Sequence, residues 1–227
     1  MMAQVASRAS YADAYRRMRE GALYLIIAFL LAGVGIAATF ATFLAIVSVH
    51  PVWQVGFAGQ LGSRGMSAYL ATMAYPIAVM VLLIIGGIIG LLGLWGKFVP
   101  GVRRLAELNP EFATSSTLIY IGLFWGIVLM MIGALLLLVL VGVFIMIVAA
   151  ILMIIGYVGL IILVFKLHDV EKNTLYLVAG ILFIIGIFIP IVDFIAWILL
   201  YVALSESVRK AEAMPPTPIA PAPITPS

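Results

Sequence analysis

The sequence predicts an all-α protein, a polytopic transmembrane helical bundle of five spans (six possible) with a cytoplasmic N-terminus. Three observations predict it. Residues 112–165 contain no charge, and as one helix they would far exceed the roughly 30 Å of a hydrocarbon core, so they read as two crossings joined by a reversal. Sixty-six per cent of residues are hydrophobic and 9% charged, with mean hydropathy +1.29; a soluble domain carries about 25% charge. The apolar runs are unbroken rather than alternating, which argues against a β-barrel and for helices whose backbone bonds close internally.

Taken in order, residues 1–20 read as a cytoplasmic or interfacial helix. It carries Arg8, Arg16, Arg17 and Arg19, with Tyr11, Tyr15 and Met18 on one face. A recognition arm for anionic lipid or a partner is the functional alternative. The transmembrane domain occupies 21–205. Its first run is too long for a signal-peptide core. That span, 21–49, has a small-residue face (Gly33, Gly35, Ala37, Ala38, Ala41), and Thr39, Thr42 and Ser48 can bond to their own helix. His50-Pro51 ends it, and a loop to Ala68 holding Arg64 lies on the far side.

The second span, 69–95, is expected to kink at Pro76. Lys97, Arg103, Arg104, Glu107 and Glu111 then mark a short amphipathic helix lying on the membrane and stopped by Asn109-Pro110, with Thr114, Ser115 and Ser116 as caps for the third span. Spans 117–138 and 143–165 form a tight hairpin in which Gly142 is best suited to the reversal. Residues 166–173 (KLHDVEKN) are a charged loop. The last span, 174–204, is interrupted by Pro190 and Asp193, and 206–227 is a proline-rich tail, a disordered stalk or docking peptide.

Net charge +3 and a pI of about 9.3 reflect positive-inside bias rather than nucleic-acid binding. Five spans place nine Lys and Arg inside and three outside (Arg64, Arg209, Lys210). Dividing the last stretch at Pro190 gives eleven to one, but leaves two segments shorter than the roughly 17 residues a span needs. Lengths favour five and charges favour six; five is the working reading.

Chemistry is sparse. There is no cysteine, no catalytic or phosphate-binding motif, and no cofactor or metal site is expected. His50 and His168 fall on opposite faces, and His168, Asp169 and Glu171 read as an ordinary charged loop. Gly86 and Gly90, and Gly122 and Gly126 extended by Gly133, form small-residue faces suited to close helix packing. They fit either a dimer or partner face or contacts within one bundle, and five spans give the second reading more weight. Asp193 is the one ionisable residue inside a span, a candidate polar site, read as a neutral or water-bonded acid near the Pro190 kink.

Short stretches spread over the chain resemble an archaeal, crenarchaeal-type multi-spanning membrane family, domain of unknown function 973. They are Arg19-Glu20-Gly21-Ala22-Leu23-Tyr24, Lys97-Phe98-Val99-Pro100-Gly101, Asn109-Pro110-Glu111-Phe112, Gly156-Tyr157-Val158-Gly159-Leu160 and Ile189-Pro190-Ile191-Val192. The resemblance implies an archaeal cell membrane and no assigned activity, and the proline-rich tail lies outside its pattern. Function then reads as a non-enzymatic multi-pass protein of the cell membrane, a scaffold or accessory subunit with a membrane-protein partner or self-association. The alternative is a small transporter or channel using Asp193 with Thr39, Thr42 and Thr72.

Overall fold

A computed structural model describes residues 2–49, 63–136 and 141–213. Its regular elements are all helical, as the composition requires: α1 (Met2–Val49), α2 (Ser63–Gly93), α3 (Val99–Leu108), α4 (Ala113–Ile119), α5 (Gly126–Leu135), α6 (Val141–Glu171), α7 (Thr174–Gly186) and α8 (Pro190–Ala213). Five continuous segments are long and apolar enough to cross a membrane: Ser10–Thr42, Ile77–Leu108, Pro110–Leu135, Val141–Glu171 and Pro190–Ala213; Thr174–Gly186 is apolar but shorter.

The chief departure from the sequence reading concerns 174–204. The structure breaks this stretch at residues 187–189 and folds it into an antiparallel pair, α7 and α8. Three pairings fix the reversal. The Tyr176 and Ser207 hydroxyls are 2.8 Å apart, Phe183 packs edge-on against Trp197, and a Cβ on Gly186 would lie 2.8 Å from the Asp193 Cα. Pro190 opens α8, where its missing N–H and fixed φ suit a first turn. The hairpin tip lies beside Tyr157, midway along α6. By helical rise α7 is about 20 Å long, and α8 runs antiparallel to it and on past its start to Ala213.

Both ends of this hairpin therefore return to the end of the bundle from which α1 starts. Arg16 pairs with Glu212 at 2.7 Å, so Arg209 and Lys210 sit at that end, not opposite it as the five-span count required. The antiparallel partner α2 starts at the far end with Arg64. Eleven of twelve Lys and Arg thus share one end. Charge and length no longer conflict, because α7 is too short for a full crossing and α8 returns to the end from which α7 starts.

At this polar end the segments read as interfacial are structural. Residues 2–20 continue unbroken into α1, and Ala14, Tyr15, Met18 and Ala22 are core residues. The Tyr11, Tyr15, Met18 face meets protein, not lipid: Tyr11 donates to the Leu108 carbonyl at 3.1 Å and Tyr15 to Glu171 at 2.7 Å. The expected surface helix is α3, which continues α2 through a π-helical turn, Leu94–Phe98. Its apolar face, Val102 and Leu105 with Phe98 before it, is completely covered. Gly101 lets α1 approach; a Cβ there would stand 2.9 Å from the Met18 nitrogen.

Other boundaries shift for local reasons. Asn109, in extended conformation, accepts from the Glu111 N–H, so it provides the cap expected from Thr114, Ser115 or Ser116; Ser115 instead donates to the Phe112 carbonyl. The 166–173 loop is mostly helix. Only Lys172 (φ 51°) and Asn173 separate α6 from α7, with Asn173 capping the latter. Residues 63–68, assigned to a loop, are helical, and α2 runs through Pro76. Gly142 is in α6 without positive φ; what it provides is room for the Leu136 backbone. His50, most of the far loop and residues 214–227 of the proline-rich tail lie outside the described residues. Residues 206–213, assigned to that tail, instead form the end of α8, where the buried face of the helix continues through Ser207 and Val208 into the core.

The core concentrates at the polar end, between the chain's first helix and the α7–α8 hairpin. An aromatic ladder crosses it. Phe98 meets Trp197 (5.4 Å), Trp197 meets Phe183 (5.2 Å) and Phe183 meets Tyr157 (6.0 Å), all close to edge-to-face. Such pairs each add about 0.5–1.5 kcal/mol beyond burial. Past the hairpin tip the described residues form two helix pairs, α1 with α2 and α5 with α6, whose outer faces are exposed isoleucine, leucine, valine and phenylalanine.

Candidate functional site

Where α6 passes the hairpin tip, three elements converge on one polar pair. Glycines set α6 in place. Gly156 admits the Leu123 backbone, and a Cβ on Gly159 would lie 2.7 Å from Leu118 Cβ. Close approach of this kind supplies the packing that a hydrophobic drive cannot supply between helices in lipid. Tyr157, between those glycines, thereby points at α7 and α8. Its hydroxyl lies 3.0 Å from the Phe183 carbonyl and in hydrogen-bond contact with the Asp193 carboxyl.

Asp193 stands in the first turn of α8 and is only 9% exposed. With Tyr157 it lines a cleft of about 330 Å³ whose other walls include Leu123, Met153, Ile154 and Ile187. No Lys or Arg lines that cleft. Its outer rim is apolar and open, with Ile154 64% exposed. An acid among apolar walls, in contact with a phenol, can bind a proton or a single polar head group; it lacks the ligand set for a metal ion.

The sequence singled out Asp193 but not Tyr157, 36 positions away. The signal was there in Gly156-Tyr157-Val158-Gly159, since small residues flanking a tyrosine mark a helix that others approach closely. The remaining candidates are placed elsewhere. Gly86 and Gly90 face Leu31 and Ala28 of α1. Gly122, Gly126 and Gly133 face α6, the latter two against Met153 and Met146. Each of the five packs against another helix of the same chain. His168 lies at the end of α6, its Nδ1 3.0 Å from the Asn173 carbonyl, and Glu171 accepts from Tyr15.

Two hydroxyls proposed for a polar path are internally used: Thr39 donates to the Gly35 carbonyl (2.8 Å) and Thr42 to that of Ala38 (3.1 Å). The side chain of Thr72 lies outside the described residues.

No curated protein and no solved structure matches the chain. One family model does, over residues 12–227, so the match takes in the proline-rich tail as well, which the resemblance of the short stretches does not reach. The chain belongs to the family described as Protein of unknown function (DUF973).

Proposed function

We propose that the chain is a non-enzymatic integral membrane protein of the cell membrane, a scaffold or accessory subunit that associates laterally with another membrane-embedded protein. The observation that supports this is the division of the molecule at the hairpin tip. Below it six helices share one core; above it α1–α2 and α5–α6 stand as two-helix pairs with apolar outer faces. Leu30, Val34, Ile36 and Phe40 of α1 are all at least half exposed, and by helical periodicity they share one broad face of that helix. Two-helix pairs of this kind have more apolar surface than internal packing, the condition under which lateral helix association adds contacts. The internal use of Thr39 and Thr42 hydroxyls weighs against the channel reading.

Native mass spectrometry after extraction in mild detergent tests the proposal. The expected result is a particle heavier than the 24.4 kDa chain by a second polypeptide, the same or different. Recovery of the single chain with lipid alone, across detergents that preserve known membrane complexes, would contradict it.

A further inference from the structure

We propose that the cleft at Tyr157 and Asp193 is a binding site for a lipophilic amine that enters from the surrounding lipid. Its nitrogen would sit at the Asp193 carboxyl and its apolar body against Met153, Ile154 and Ile187. The inference stands apart from lateral association, since the cleft is formed within one chain. Its size, about 330 Å³, falls in the range of small-molecule sites, roughly 300–1,000 Å³, and so does its make-up of apolar walls with few polar groups. Its rim, at Ile154 and Ile187, is exposed apolar surface at the height of the hairpin tip, about 20 Å from the charged end. Ionisable groups at such depth are costly and mark functional sites by default.

The hydrogen-bond count selects an amine. A phenol has one proton, yet the Tyr157 hydroxyl has two oxygens in reach, the Phe183 carbonyl and the Asp193 carboxyl. A protonated carboxyl balances the count at Tyr157 by donating to its oxygen while Tyr157 donates to Phe183, and the Trp197 N–H is directed at the same carboxyl. A neutral amine crosses lipid readily and can take that proton. The carboxyl O–H bond breaks, an N–H bond forms, and ammonium and carboxylate remain side by side. Tyr157 then turns its own hydrogen to the carboxylate, which also lies in the first turn of α8, where negative charge is favoured. An alcohol of the same shape cannot take the proton and gains only neutral hydrogen bonds, about half as strong.

The test uses the full chain in nanodiscs, with 1-adamantylamine and 1-adamantanol as probes of equal shape, titrated calorimetrically against empty nanodiscs. Saturable binding of the amine is expected, with the alcohol weaker by about tenfold or more. Asp193→Asn should weaken the amine by a similar factor. Ile154→Trp fills the cleft from its lipid-exposed wall and should also abolish binding while leaving the melting temperature unchanged, so it decides the matter if Asp193→Asn fails to fold. Amine uptake no greater than in empty nanodiscs, equal binding of the alcohol, or undiminished binding by Ile154→Trp would each overturn the proposal.

Discussion

The hydroxyl of Tyr157, in the middle of α6, meets the carboxyl of Asp193, in the first turn of α8. This contact joins the tip of the α7–α8 hairpin to a helix long enough to cross the membrane, and the carboxyl in it is almost wholly buried. An unpaired polar group there costs its full desolvation. Asp193→Asn keeps both a donor and an acceptor toward Tyr157 and should melt close to wild type. Asp193→Leu should destabilise by about 1–3 kcal/mol, read as a lower midpoint in thermal unfolding in detergent. Equal melting of the leucine and asparagine variants would show that the contact contributes nothing.

The proton count at this pair has its own observable. A protonated Asp193 gives an infrared carboxylic-acid carbonyl band in ester-free detergent, absent from Asp193→Asn. If wild type and variant have the same spectrum in that region, Tyr157 alone supplies the hydrogen and the carboxyl is ionised.

Neighbouring glycines should behave oppositely. A Cβ on Gly86 would lie 3.3 Å from Leu31 Cβ, whereas one on Gly87 would meet nothing within 4 Å. Gly86→Leu should therefore cost about 1–3 kcal/mol through overpacking, and Gly87→Leu should be close to neutral. Gly126→Leu, facing Met153, belongs with Gly86→Leu. Thermal melting of the three variants checks this, and equal effects at 86 and 87 would contradict the helix facing.

The N-terminal segment is tested by a similar contrast. Met18 is fully buried, so Met18→Ala should lose about 2–5 kcal/mol. Arg16 makes an exposed ion pair with Glu212, and Arg16→Ala should change stability by less than about 1 kcal/mol. Limited proteolysis should open the polar end in the first variant and spare it in the second.

Much of this architecture is readable in the sequence because hydropathy acts locally. An uncharged run from 112 to 165 can only be two helices in a bilayer, and Asn109-Pro110 stops a helix wherever it occurs. What was not readable depends on distant partners. The i, i+4, i+7 face of Tyr11, Tyr15 and Met18 is plain from spacing, but spacing cannot tell lipid from Leu108 and Glu171. Pro190 marked a possible break in 174–204, yet a length rule for full crossings has no place for a hairpin that turns back halfway. Asp193 stood out by its charge, while Tyr157 is one of nine tyrosines until the fold brings the two together.

The α7–α8 hairpin is the claim on which the rest depends, and accessibility tests it most directly. The chain has no native cysteine, so single cysteines at Asp169, Arg209, Phe188 and Arg64 can be labelled with a membrane-impermeant maleimide in sealed vesicles of known orientation. Positions 169 and 209 should react from one face, 64 from the opposite face, and 188, at the apolar tip and 82% exposed, from neither. Labelling of 209 only from the face opposite 169 would mean that 174–204 crosses the membrane after all, and would contradict the account.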